Sequence, residues 1–381
     1  RSQSQVRPLA DAGLSGPQPA VRRAAASARA QNMRIAHLIL TRHFAGSERH
    51  AVELANAQAR EHEVTLILRQ GAAGKHADAF ADRVSPQVRT VLVPNWLPVW
   101  HAANAVKALR PDVAHAHLSG ACRALSGLHG VCLRVATLHI RYKPGQHAAM
   151  DALVAVAPWQ VNDIPLPLRE HTTQIDNWIL PARGSPESRA RLRAEYGVPQ
   201  DAWVFGAVGR AEASKGLDVL IDAFERAALP NAWLVIVGHG DALPKLRRRA
   251  GARVVLPGFS REPKEWMAAF DAFVSPARFE PFGLVLLEAM QAGLPIIASR
   301  SEGALHLAQT MRPDLVPIGD VPALAQALQR MDQSRPGRRQ YDLARFSIES
   351  KLAQLDAFYR RELDALARPL VLPADARPDT P

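Results

Sequence analysis

A chain of 381 residues, 48% apolar and 22% charged, is globular in composition and longer than one hydrophobic core organises well, so two domains are expected. Cys122 and Cys132 are the only cysteines, which excludes a disulfide framework or a zinc-type spacing. With no apolar run of bilayer-spanning length and no secretory leader, a cytoplasmic protein is expected. The formal charge of +11 suits polyanions, but aromatic residues are few and no RNA-binding signature occurs, so nucleic acid is disfavoured against phosphorylated ligands or an anionic inner membrane face.

In chain order, residues 1–32 are rich in Ala, Arg and Ser with little to bury, and are expected to be a disordered extension, either a targeting peptide or a segment ahead of a start at Met33. From Met33 short apolar runs alternate with helix-sized segments: "RIAHLIL", an amphipathic stretch over 47–60, then "EVTLIL", "TVLVP", "PDVAHAH", "RVATLHI" and "ALVAVAP". That alternation predicts a parallel sheet covered on both faces. A second series follows: "WVFGAVG", "AWLVIVG", "ARVVLPG", "AFVSP", "LPIIAS" and "DLVPIG". The fold class is therefore α/β, two Rossmann-like doubly wound domains over 33–180 and 181–340 facing a central cleft, with the linker between Leu180 and Pro186. A helical stretch over 341–366 and a loose tail over 367–381 close the chain.

Ligands of open α/β sheets lie beyond the carboxyl ends of the strands, so the residues there carry the chemistry. After "AFVSP" the chain reads "ARFEPFGLVLLEAM". A helix opening at Gly283 leaves the amides of Gly283, Leu284 and Val285 for an anion. Glu280 before that helix and Glu288 within it then flank a phosphate and address hydroxyls on either side, unless Glu280 is merely solvated and Glu288 merely pairs with a nearby base. Arg210, at the end of "WVFGAVG", and Lys215, opening the next helix, supply cations for a diphosphate. In the first domain Gly46 lets backbone amides approach phosphates, or simply starts a helix with Ser47 as its cap. His115 and His117 share one face of their strand.

These motifs, taken in order, resemble the family four retaining glycosyltransferases of the GT-B fold, a group that includes many bacterial lipopolysaccharide and exopolysaccharide enzymes. The resemblance runs from Met33 to about Tyr359 and rests on Arg210 and Lys215, "LPGF" and "FEPFGLVLLEAMQAGLPIIAS". It implies an acceptor-binding first domain, a donor-binding second domain and a final helix crossing back to the first. It implies that Arg210 and Lys215 bind the donor diphosphate, Glu280 the transferred sugar and Glu288 the ribose. Phe259 and Ser260 would meet the nucleobase, and His117 would lie near the donor sugar. His139 would face the acceptor; His43, His50 and Arg49 join it there on position alone. The donor is a nucleotide diphosphate sugar, the acceptor a glycan or lipid-linked glycan, and neither prosthetic group nor metal is expected, since no DxD-like cluster occurs. The chain departs from the family in "RSEGALH", where Gly303 is followed by Ala304 and His306, so an altered donor sugar pocket or weak activity is expected. Competing readings are a GT-B epimerase or phosphorylase, and a non-catalytic nucleotide-sugar binding subunit.

Overall fold

The computed structural model describes residues 32–76, 78–181 and 185–367. The expected extension before Asn32, the tail after Ala367 and the centre of the expected linker lie outside the described residues.

Seven strands form the first sheet: β1 (Arg34–Ile39), β2 (Glu63–Arg69), β3 (Arg89–Val93), β4 (Val113–His117), β5 (Leu133–Leu138), β6 (Ala152–Ala155) and β7 (Thr172–Gln174). Their order is β3-β2-β1-β4-β5-β6-β7, with every pairing parallel. Between them run α1 (Gly46–Gln58), α2 (Pro98–Leu109), α3 (Leu118–Leu125), α4 (Pro144–His147) and α5 (Leu166–Glu170). The strands from β1 to β6 coincide with the apolar runs. Strand β7 has the polar sequence Thr172-Thr173-Gln174 and gives no such signal; it is held only by pairing along β6 at the sheet edge.

After α6 (Pro186–Glu195) the second sheet holds β8 (Trp203–Val208), β9 (Ala232–Val237), β10 (Val254–Gly258), β11 (Ala272–Ser275), β12 (Ile296–Ser299) and β13 (Asp314–Val316). Its order, β10-β9-β8-β11-β12-β13, is again that of a doubly wound domain. Here the helices are α7 (Leu217–Ala227), α8 (Leu243–Arg249), α9 (Pro263–Ala269), α10 (Leu284–Gln291), α11 (Glu302–Met311) and α12 (Val321–Ser334).

The last helix, α13 (Ile348–Ala367), returns to the first domain, where Leu355, Phe358, Tyr359 and Leu363 join the apolar layer that α1 forms over β1, β2 and β4. The opposite face of that sheet is covered by α2 and α3 through Ala102, Val106, Ala121 and Cys122. Both cysteines are free and buried. Among the described residues no helix is long and apolar enough to cross a membrane.

The domains touch along the rim where the strands of both sheets end. Arg261 after β10 pairs with Asp82 at 2.9 Å, and Arg83 lies 3.6 Å from Glu262. Trp159 donates its indole N–H to the Pro281 carbonyl at 2.9 Å, and His306 of α11 meets Asp176 just after β7 at 2.6 Å.

Candidate functional site

The donor side is built on two glycine-dependent turns. Gly216, at φ 62°, caps α7, and a Cβ there would stand 2.1 Å from the Pro276 carbonyl oxygen. This close approach sets Lys215 against the loop after β11, and its Nζ donates to Glu280 Oε2 at 2.7 Å. Gly283, at φ 94°, is the N-cap of α10; a Cβ would meet Leu286 Cδ1 at 2.8 Å. The first helical bonds of α10 run from Leu286 and Leu287 to the Gly283 carbonyl. The amides of Gly283, Leu284 and Val285 therefore precede the ladder, where the helix dipole is positive.

Glu280 is buried, held by Lys215 on one side, while its own carbonyl accepts from Gly303 N–H at 2.7 Å. Arg141 of the first domain stacks over the neighbouring Phe279 ring at 5.5 Å. The loop that carries Glu280 is thus fastened from both domains.

The opposite wall is the start of α1. Here the cap differs from the sequence expectation: Ala45 is the N-cap, and Ser47 lies inside the helix. The Glu48 side chain reaches back to accept from Ala45 N–H at 3.0 Å and from Thr41 Oγ1 at 2.7 Å. This supplies the acidic half of a capping box without a hydroxyl at the cap position. Burial raises the Glu48 carboxyl above its ordinary pKa, opposed by these donors and by the charge of Arg210. A Cβ at Gly46 would lie 3.5 Å from Leu284 Cδ1, so the amino ends of α1 and α10 meet across the cleft.

Arg49 projects from the next turn of α1 to form a hydrogen-bonded ion pair with Glu288 Oε1 across the cleft. Glu53, one turn further, lies 3.8 Å from Arg49 and accepts from the Trp178 indole at 2.8 Å. Burial opposes the charge on Arg49, but Glu288 and Glu53 outweigh it and hold the guanidinium above its ordinary pKa. Burial lowers the Lys264 ammonium, aided by the charge of Arg49. Arg49, expected to line an acceptor pocket, is thus committed to Glu288, the residue expected at the ribose. Glu288 does pair with a base, as its plainer reading had it, but the pair is buried and joins two domains.

Beneath the first-domain side of the cleft lies a row of imidazoles. His37 on β1 sits opposite His115 on β4 in the strand register. His37 Nε2 meets Gln58 Oε1 at 2.7 Å, His37 Nδ1 meets His117 Nε2 at 3.1 Å, and His117 Nδ1 meets His139 Nε2 at 3.1 Å. Because Gln58 Oε1 only accepts, His37 carries its proton on Nε2. The same tautomer then propagates through His117 to His139, leaving His139 Nδ1 as the terminal acceptor. His115 is closed off between Tyr359 OH and Thr137 Oγ1, and His50 bonds Asn177 Oδ1 at 3.0 Å.

His117 is fully buried with both nitrogens engaged, so it meets the cleft only through His139, which is half-buried. Direct contact of His117 with a donor sugar is not what this geometry offers. His50, His117 and His139 each bring one nitrogen within 4.8 Å of the others, a donor set that suits zinc or nickel when neutral.

Burial keeps this row uncharged: His37 falls from 6.5 to about 4 and His139 to about 3, and burial likewise pulls His50, His115 and His117 well down. Unfolded histidines bind protons near the ordinary 6.5 and the folded His37 only near about 4, so the unfolded chain holds more protons between those values. The stability these rings contribute is present above the ordinary value and is lost as pH falls through that window. Calorimetry across it is expected to show a falling unfolding temperature, with a shallower fall in His139→Gln; parallel slopes would remove the row as the cause.

The remaining expected residues are dispersed. Arg210 is 64% exposed and lies 3.2 Å from Glu212, with its charge also reaching Glu48 at the start of α1. Phe259 and Ser260 follow β10 on the rim, with Phe259 exposed beside the Arg261–Asp82 contact. His43 is an exposed loop residue paired with Asp78 at 2.8 Å and stands apart from the imidazole row. His306, expected to alter a sugar pocket, instead ties α11 to Asp176, which Arg345 also approaches at 3.5 Å. Burial pushes the Asp176 carboxyl up, but the hydrogen bond and charge of His306, the Gln174 amide and the charge of Lys351 together outweigh it and hold the pKa below its ordinary value. His37, Gln58, Asn177, Glu53 and Lys264 went unnoticed in the sequence, where only the parity of His37 with the "HAH" strand offered a hint.

Comparison with known proteins agrees with this layout. The family described as Glycosyltransferase Family 4 matches residues 44–215, and the family Glycosyl transferases group 1 matches residues 202–333. Lipopolysaccharide core biosynthesis glycosyltransferases LpsE and LpsD of Rhizobium meliloti (strain 1021) are each 29% identical, over 75% of this chain and 85% of LpsE, and 78% of this chain and 88% of LpsD. Among solved structures, Anabaena Alr3699/HepE in complex with UDP-glucose superposes with a TM-score of 0.66 at 20% identity, covering 88% of this chain and 97% of that one. WaaG, a glycosyltransferase involved in lipopolysaccharide biosynthesis, gives 0.60 at 19% identity, over 87% of this chain and 95% of its own. With the two family matches running together from residue 44 to residue 333 over a pair of facing Rossmann-like sheets, the chain belongs to the group 1 glycosyltransferases of GT-B fold.

Proposed function

We propose that the protein transfers a sugar, with retention at the anomeric carbon, from a UDP- or GDP-linked donor to a glycan or lipid-linked acceptor in lipopolysaccharide or surface polysaccharide assembly. The observation that carries this is the meeting of two helix amino ends, α1 at Gly46 and α10 at Leu284, beside the Lys215–Glu280 pair. Such a junction is a seat for a diphosphate. HepE was solved with UDP and with UDP-glucose, which supports a nucleotide-sugar donor here, and LpsE and LpsD act in lipopolysaccharide core biosynthesis, which supports the pathway.

In this reading the amides of Gly283, Leu284 and Val285 and the Lys215 ammonium hold the diphosphate. Arg210 swings in from Glu212 when the donor arrives. Glu288 keeps Arg49 on Oε1 and offers Oε2 to the ribose, and Phe259 and Ser260 border the base. Glu280, aligned by Lys215, bonds the sugar hydroxyls. The bond between the anomeric carbon and the β-phosphate oxygen breaks, and the acceptor oxygen attacks from the same face. Its proton passes to the departing phosphate oxygen, whose growing charge the cation and the helix amides stabilise. The terminal nitrogen of His139 bounds the acceptor side, and closure of the two domains excludes water.

The test is incubation with a panel of UDP- and GDP-sugars and a lipid-linked glycan, reading product configuration by NMR. Transfer with the donor's anomeric configuration is expected. Epimerised sugar from donor alone, or tight donor binding without transfer to any acceptor, would replace this reading with one of its competitors.

A further inference from the structure

His50, His117 and His139 come from three elements, namely α1, the end of β4 and the residue after β5, and meet on the first-domain side of the cleft. One nitrogen of each lies within 4.8 Å of the other two. His50 and His117 are buried while His139 is half-buried, so the group opens toward the cleft at His139.

The partners of these rings decide which nitrogens are bare. Asn177 Oδ1 only accepts, so His50 Nδ1, bonded to it at 3.0 Å, carries the proton. His50 Nε2 therefore keeps its lone pair, and among the described residues no hydrogen bond reaches it. The ring is held in place, because the Trp178 indole packs on it at 4.3 Å and is itself tied to Glu53. On His117 the proton sits on Nε2, directed at His37 Nδ1, so Nδ1 is bare as well. The third nitrogen, His139 Nε2, stands 3.1 Å from His117 Nδ1 with a proton between them.

Two nitrogens on one tetrahedral zinc, each at about 2.0–2.1 Å, are about 3.3 Å apart. The separation of His117 and His139 is thus close to that of a chelating pair. Moving the His139 proton from Nε2 to Nδ1 exchanges their hydrogen bond for two bare nitrogens and releases no proton. With His50 Nε2 drawn in, three neutral imidazoles face one point. Two of them have the outer partner that orients a metal-ligating histidine: Asn177 stands behind His50, and His37 with Gln58 behind His117. An all-imidazole set selects first-row transition dications over magnesium and calcium, which take oxygen ligands.

We propose that His50, His117 and His139 form a binding site for a transition-metal dication, zinc foremost, with a fourth position open toward the cleft. None of these ligands is among the groups assigned to the diphosphate. A bound ion ties α1 to the ends of β4 and β5, and it turns the remaining nitrogen of His139 from a hydrogen-bond acceptor into a donor. Zinc is then expected to raise the KM for the acceptor and to leave UDP-sugar binding unchanged. That consequence rests on the transfer reaction proposed above; the site itself does not.

The full chain, freed of metal and carrying no polyhistidine tag, is titrated with zinc by calorimetry and with cobalt by visible absorption, and a crystal soaked with zinc chloride locates the ion by anomalous scattering. Expected are one equivalent of zinc, no uptake of magnesium, and an anomalous peak between the three nitrogens. His139→Ala should abolish the cobalt absorption while melting near the wild-type temperature without metal at neutral pH. Asn177→Ala, which removes only the partner behind His50, should weaken zinc about 10- to 100-fold. His43→Ala/His76→Ala dismantles the other histidine cluster, the one with Asp78, and should bind zinc as the wild type does. A wild type that takes up no zinc, undiminished binding in His139→Ala, or an anomalous peak at His43 and His76 overturns the proposal. Zinc seated on the three histidines with an unchanged acceptor KM overturns the consequence for transfer. Zinc held there by a chain that transfers no sugar leaves the site standing and strikes at the transferase reading instead.

Discussion

Replacing Lys215 by alanine is expected to lower kcat by about 10²- to 10³-fold, the usual consequence of removing one preorganised group from a developing oxyanion. The ammonium stands 2.7 Å from Glu280 Oε2 at the mouth of α10, so one substitution acts twice. It withdraws a cation from the leaving diphosphate, and it leaves the Glu280 carboxylate buried without its partner. The loop itself stays fastened through Trp159 and the Gly303 N–H, so the fold should survive. Initial rates with donor and acceptor measure the effect, with thermal melting as the control. Lys215→Arg should recover part of the loss, since the charge returns with a different reach. A Lys215→Ala enzyme turning over at the wild-type rate would remove the lysine from the chemistry.

Arg49→Ala is expected to be the most disruptive change away from the diphosphate seat. It strips the counter-charge from Glu288, which is buried, and breaking such a pair from one side costs about 3–5 kcal/mol. Because the partners belong to different domains, the chain can relieve part of that cost by opening the cleft and hydrating the carboxylate. The expected result is a larger radius of gyration in solution scattering and a raised KM for the donor, with a smaller change in kcat. Arg49→Ala/Glu288→Gln should be less open than Arg49→Ala alone, because Glu288, the carboxylate buried most deeply in the seam, no longer carries an unpaired charge. Effects that simply add in the double variant would show that the two side chains are not coupled.

How much of this was legible follows from the range of each interaction. Apolar runs of strand length carried the first six strands of one sheet and all six of the other, because parallel strands buried on both faces must be apolar throughout. Strand β7 escaped because an edge strand of Thr172, Thr173 and Gln174 needs only backbone pairing. The cap of α1 departs from the Ser47 expectation because Glu48 reaches back from inside the helix to Ala45, which makes a side-chain oxygen at the cap position unnecessary.

The turns at Gly216 and Gly283 were legible as a lysine-glycine step and a helix start, and they place Lys215 and Glu280 together. Arg49 and Glu288 lie 239 residues apart, and no local pattern announces a contact made by two domains closing. Arg210 illustrates the opposite case: its position at a strand end was readable, but the choice between a ligand and Glu212 belongs to side-chain torsions that spacing does not encode. The imidazole row lies between these extremes. Parity put His115 and His117 on one face, while register alone brought His37 alongside.

A crystal structure of the full chain with UDP shows whether a diphosphate sits where the amino ends of α1 and α10 converge. The expected result is β-phosphate oxygens accepting from the Leu284 and Val285 amides and from Lys215 Nζ, with the ribose on Glu288 and Arg210 turned inward. UDP bound elsewhere, with Leu284 and Val285 facing water and Lys215 still committed to Glu280 alone, would contradict it.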